Sequence, residues 1–198
     1  MAQSDDARDN AASGASPKRG QTGSGAKSGS RRTGGGSAKA RRKAARLAAV
    51  QALYQVDLSG TNTETVLGEF IKHRLGHEVD GDTYVAADPQ LFSDILRGAS
   101  ARQAELDTML TSCLDASWPV DRLERLTRAI LRAGAFELLV NVETHPRIVI
   151  SEYVDVAHAF FAGREPAMVN GVLDKLARAI RADDLAAPDP SRAPAAGR

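Results

Sequence analysis

The sequence predicts an all-α fold, a helical bundle of about seven helices behind a disordered N-terminal arm. Two observations carry this. From Leu47 to Ile180 the apolar residues recur at three- and four-residue spacing, the period of helices that bury one face. The one stretch with strand character, Arg147-Ile148-Val149-Ile150, is too short and isolated to make a sheet.

Each element follows from that register and its punctuation. Leu47, Val50, Leu53, Tyr54 and Leu58 mark a first helix that stops at Ser59-Gly60. Thr61 and Glu64 stand at capping-box spacing before Val66, Leu67, Phe70, Ile71 and Leu75, a second helix that ends at Gly76. After a Gly/Asp loop, Asp88-Pro89 supplies an N-cap and a first-turn proline. Leu91, Phe92, Ile95, Leu96, Ala99, Leu106, Met109, Leu110 and Cys113 then form one long helix or two. Trp118-Pro119 breaks this run. Asp121 is the expected cap of a segment carrying Leu123, Leu126, Ile130, Leu131, Phe136, Leu138 and Leu139, and His145-Pro146 is the next break. Ile148, Ile150, Val154, Ala157, His158 and Phe161 form a further helix closed by Gly163, and Met168 to Ile180 the last.

The 198 residues, 42% of them hydrophobic, suffice for one domain with a proper core. Residues 1–37 hold Gly, Ser, Ala, Arg and Lys with almost no large apolar side chain, and cannot offset the entropy of ordering. They are expected to be a disordered arm, residues 38–182 the helical domain, and residues 183–198 a flexible Ala/Pro tail. No run of about eighteen apolar residues suggests a membrane span, and Asp5, Asp6, Arg8 and Asp9 stand where a signal peptide would be apolar. A cytoplasmic protein is expected. Cys113 is the only cysteine, so the chain has no internal disulfide and a reducing compartment fits.

The net charge of +1 conceals an asymmetry. Between Asp9 and Asp57 there is no acidic residue, while Lys18, Arg19, Lys27, Arg31, Arg32, Lys39, Arg41, Arg42, Lys43 and Arg46 all fall there. From Asp57 onward 15 Lys and Arg face 22 Asp and Glu, a balance of −7. A basic arm on an acidic body suits a chain whose end seeks a polyanion. The charge step Arg41, Arg42, Lys43, Arg46 can neutralise phosphates and release their counterions; the competing reading is a solvated tail. An arginine-rich segment of this kind suits RNA, for which Tyr54 is either a base-stacking residue or a core residue.

No constellation asks for an enzyme. Gly20 to Gly25 has the spacing of a phosphate loop, but Ala26 separates Gly25 from Lys27 and no strand precedes it, so it reads as a linker. His73 and His77, with Glu78 beside them, stand four apart, but Gly76 and Gly81 end the helix and no further ligand is near, so neither metal nor cofactor is expected. His145 falls in a connection and His158 among apolar neighbours, where a partly buried histidine is the ordinary case. Cys113 has no basic neighbour in sequence and reads as a small core residue.

The segment Ala40-Arg41-Arg42-Lys43-Ala44-Ala45-Arg46, followed by Ala49-Val50-Gln51-Ala52-Leu53-Tyr54, resembles the opening helix of the NusB family. Leu131-Arg132 with Phe136-Glu137-Leu138 is similar to that family's central helix. Pro146 with Val149-Ile150-Ser151-Glu152 resembles the helix after it, and Met168-Val169-Asn170-Gly171-Val172-Leu173-Asp174-Lys175 the final one. The likeness is collinear from about Ala40 to Ile180. It implies two packed helical subdomains and a non-enzymatic transcription antitermination factor that binds the boxA element of ribosomal RNA leader transcripts. The implied partners are NusE, a small-subunit ribosomal protein, then NusA, NusG and RNA polymerase.

The resemblance also implies RNA contacts at Arg42, Lys43 and Arg46, with Gln51 and Tyr54 on the same helix, and at Arg164, Met168 and Asn170, where Asn170 and Gly171 are expected to shape a turn. Glu124, Thr127 and Arg128 are the implied contacts to NusE. Met168 stands where the family commonly has an aromatic, Ala44 where another basic residue is expected, and the arm is longer than the family form requires. The arm is expected to add affinity more than specificity. Two other readings compete. One is a protein-interaction bundle with a non-specific basic tether. The other is the leading domain of a ribosomal RNA cytosine methyltransferase, for which no doubly wound α/β pattern follows.

Overall fold

The computed structural model describes residues 37–75, 85–115 and 119–186. The expected disordered arm up to residue 36, His77, Glu78, Trp118 and the tail from residue 187 lie outside the described residues.

The described residues form eight α-helices and no strand. Helix α1, Ala38–Ser59, begins where the Ser37 hydroxyl accepts the Ala40 N–H at 3.2 Å and ends at Gly60, whose φ of 66° is left-handed. Helix α2, Thr63–His73, is capped by Asn62, which accepts from the Glu64 N–H, and not by the expected Thr61–Glu64 box. Thr61 instead meets Ser59, and the Glu64 carboxylate takes both ends of the Arg97 guanidinium. Asp88 caps α3, Pro89–Ala101, as its sequence predicts. The run after it is two helices. The backbone breaks at Arg102, and α4 covers Gln103–Cys113.

Asp121 is not the cap of the next helix. It lies in a single 3-10 turn, Val120–Arg122, followed by extended Leu123, and α5, Arg125–Val140, begins behind Glu124. His145 caps α6, Pro146–Phe160, its Nδ1 accepting the Arg147 N–H at 3.2 Å. The β-branched run 148–150 therefore sits in a helix, where burial of Val149 and Ile150 overrides local preference. Helix α6 stops at extended Phe161, before Gly163, and α7, Glu165–Ile180, starts ahead of Met168. Asn170 and Gly171 are thus mid-helix and shape no turn. A short α8, Ala182–Ala186, occupies the start of the expected tail.

Helix α5 is the spine. Its residues from Ala129 to Leu138 are buried without interruption, as in a helix wrapped on all sides. Helices α1–α3 pack together on one side and α4, α6 and α7 on the other, both groups on α5 and one continuous core. Close approach is built in at Gly98, where a Cβ would collide with the Phe136 ring. Each fully buried side chain such as Leu131, Leu138 or Leu173 contributes about 1.5–3 kcal/mol. No helix among the described residues is long and apolar enough to cross a membrane.

Candidate nucleic-acid interface

The front of α1 is where the predicted cations divide. The Arg41 carbonyl accepts the Asp88 N–H at 3.1 Å, tying this turn to the start of α3 and leaving its side chain outside. Lys39, Arg41 and Arg42 are exposed, and Arg41 and Arg42 form no ion pair among the described residues. Lys43 is about half exposed and reaches α6, its Nζ 2.7 Å from Asp155 Oδ2. The hydrogen bond to Asp155 raises the Lys43 ammonium above its usual range, so it stays charged.

Arg46 is corrected from an RNA contact to a core residue. It is 5% exposed and donates Nε and Nη2 to the two oxygens of Glu137 at 2.9 and 2.5 Å, and Nη1 to Glu152 at 3.2 Å. Glu137 also accepts the Tyr153 hydroxyl at 3.0 Å and the Asn141 amide at 3.3 Å, so both its oxygens are filled. Burial disfavours the Arg46 charge, but the hydrogen bonds and charge of Glu137 outweigh it and hold the guanidinium further above its usual range. Burial, then the Glu137 charge, pushes the Tyr153 hydroxyl well up, so it remains a donor.

Gln51 and Tyr54 are half-buried, and Tyr54 packs on the core. Arg164, Met168 and Asn170 are on or before α7, with Arg164 and Asn170 exposed and Met168 half-buried. Arg164 and Met168 line a groove of about 640 Å³ together with Glu124, Thr127, Cys113 and Val172. The fold thereby joins residues that the resemblance divides between RNA and NusE. The groove's charged lining residues are Arg164, Glu165, Glu124 and Asp115, and the rest of its lining is largely apolar.

Two of the three residues implied for NusE are committed internally. Thr127 is 1% exposed. Arg128 donates to Asp57 at 2.8 Å, in a chain of pairs that continues through Arg132 to Asp107. Only Glu124 of the three is exposed. His158, expected among apolar neighbours, is exposed as well, near the end of α6.

Sequence reasoning missed the acidic partners Glu137, Glu152 and Asp155. A signal existed for the first: Glu137 interrupts the apolar run Phe136-Glu137-Leu138-Leu139, and a carboxylate there needs a buried cation. Asp155 carries no such mark, because it stands on an outer helical face.

Comparison with known proteins settles the family. The model of the NusB family matches residues 43–178. The chain belongs to the NusB family. Among curated NusB relatives, the transcription antitermination protein NusB of Bradyrhizobium sp. strain BTAi1 is 49% identical over 145 residues, covering 73% of this chain and 86% of the relative. That of Agrobacterium fabrum is 49% identical over 142 residues, covering 72% and 86%. Among solved structures, T. maritima NusB shares the fold with a TM-score of 0.59 at 23% identity, covering 74% of this chain and 97% of that one. The antitermination factors NusB and NusE in complex with double-stranded RNA align with a TM-score of 0.58 at 26% identity, over 70% of this chain and 97% of that one. The NusB match begins at Lys43, so the exposed Lys39, Arg41 and Arg42 lie just ahead of it.

Proposed function

We propose that this NusB-family protein is a non-enzymatic, cytoplasmic transcription antitermination factor that binds boxA RNA of ribosomal RNA leader transcripts together with NusE. Through that pair it joins NusA, NusG and RNA polymerase and suppresses termination. The observation that carries the reading is the exposed cluster Lys39, Arg41, Arg42 and Lys43 in the first turns of a helix whose next basic residue is locked in the core. Cations fixed in this way present a set spacing to a phosphate backbone, while the arm adds attraction without register. Relatives named as antitermination proteins and a solved NusB–NusE–RNA assembly support the partners.

Arg164, Met168 and Asn170 extend the proposed RNA surface, and Glu124 at the groove edge is the residue proposed to meet NusE. Two modest affinities held on one protein raise the effective concentration of each partner for the other. The test is a titration of the protein, with and without NusE, against boxA RNA and a scrambled RNA at two salt concentrations. Preference for boxA that NusE strengthens is expected. Equal, salt-labile binding to both RNAs that ignores NusE would leave only a polyanion tether.

A further inference from the structure

Helices α1 and α6 meet through two charged rungs. Lys43 and Arg46, three residues apart on α1, face Asp155 and Glu152, three apart on α6 and running the other way. The inner rung is closed, with Arg46 and Glu152 both under a tenth exposed. The outer rung is open: the Lys43 and Asp155 side chains are 53% and 52% exposed.

We propose that Asp155 is a built-in competitor for the RNA backbone at Lys43, a tethered carboxylate that holds the ammonium until a phosphate displaces it. The proposal rests on the reading of the α1 front as the RNA surface. Carboxylate and phosphodiester oxygens are both anionic acceptors for an ammonium, so the 2.7 Å contact marks a place where a phosphate oxygen would sit. A pair this exposed is held weakly, because water and salt screen it, and it can open without disturbing the core. The inner rung does not open with it, since Arg46 is also bound twice by Glu137.

Selectivity follows from tethering. Asp155 is always at hand, so a lone nucleotide meets a competitor of high effective concentration. A polymer already held by Arg41 and Arg42 brings its next phosphate to Lys43 with a comparable advantage, and wins. Asp155 thus raises the charge density that a ligand must have before the whole front engages. Displacement also leaves an unpaired carboxylate beside the bound backbone, with Glu152 behind it, and this lowers affinity for every RNA.

The experiment compares Asp155→Asn with the wild type for boxA RNA and for a mononucleotide, across a salt series. The variant is expected to bind the RNA about three- to tenfold tighter, with a salt slope steeper by up to about 0.7. It is also expected to narrow the preference for polymer over mononucleotide. Glu105→Gln, which removes an equally exposed ion-paired carboxylate on α4, controls for net charge. Unchanged or weaker RNA binding by Asp155→Asn, or an equal gain in Glu105→Gln, overturns the proposal. Arg41→Ala/Arg42→Ala separates the two readings. If that variant binds RNA normally, the α1 front is not the RNA surface and the competitor falls with it. If it binds poorly while Asp155→Asn gains nothing, only the competitor falls.

Discussion

Arg46 and Glu137, 91 residues apart in sequence, are joined by two parallel hydrogen bonds between α1 and α5, with both side chains out of water. A bidentate pair of this kind fixes the rotation of α1 against α5 and therefore the direction in which Arg41 and Arg42 point. Removing one partner leaves a buried charge without compensation. Arg46→Ala is expected to lower unfolding free energy by about 3–5 kcal/mol, read from urea denaturation. A loss under about 1 kcal/mol would mean that the pair contributes no more than a surface bridge.

Arg41→Ala/Arg42→Ala should behave in the opposite way. Both side chains are exposed, so the urea midpoint should stay where it is. RNA affinity should fall, and the slope of log affinity against log salt should flatten by about 1.4 if each contacts one phosphate of a single strand. Filter binding over a salt series measures this, and an unchanged slope would remove both from the interface.

The helix crossing at Gly98 leaves no room for a methyl group, because the Phe136 ring of α5 occupies the space. Gly98→Ala is expected to cost about 1–3 kcal/mol through displacement of that ring. Combining it with Phe136→Leu should restore part of the loss, and strictly additive losses in a double-mutant cycle would contradict the contact.

Asp57 gives the fold an acid limit. Burial pushes its carboxyl up, but hydrogen bonds and charge from Arg128 and Arg132 outweigh this and hold it below the usual carboxylate range. A depressed folded value means that the stabilisation is present above the unfolded value, near pH 4, and is lost as pH falls through the folded one. Wild type and Asp57→Asn should therefore differ most at neutral pH and converge in acid. A gap that stays constant from pH 7 to pH 3 would show that the carboxylate charge is not what matters.

Much of this arrangement was legible in the sequence. Ser59-Gly60, Asp88-Pro89 and His145-Pro146 locate three of the helix ends, because caps and breakers act on their immediate neighbours. The break at Arg102 was not, since neither glycine nor proline marks it and packing alone decides between one helix and two. Arg46 could have been placed: it stands three, four and seven residues before Ala49, Val50 and Leu53, on the stripe those residues bury. Charge alone grouped it with Arg41 and Arg42. The groove that unites Thr127 with Met168 had no local signal, because its walls come from three helices that meet only in space.

The distance in sequence between Arg46 and its partners has a consequence during synthesis. Glu137 leaves the ribosome 91 residues after Arg46 and Glu152 leaves it 106 residues after, intervals on the order of ten seconds at synthesis rates of about 5–20 residues per second. Until Glu137 arrives the segment carries Arg46 as an uncompensated cation one helical turn from Arg42, and its positive charge is greater than in the finished protein. The nascent chain is therefore stickier toward polyanions than the mature one, and it loses the extra charge only when the α5 carboxylate of Glu137 and then Glu152 of α6 arrive.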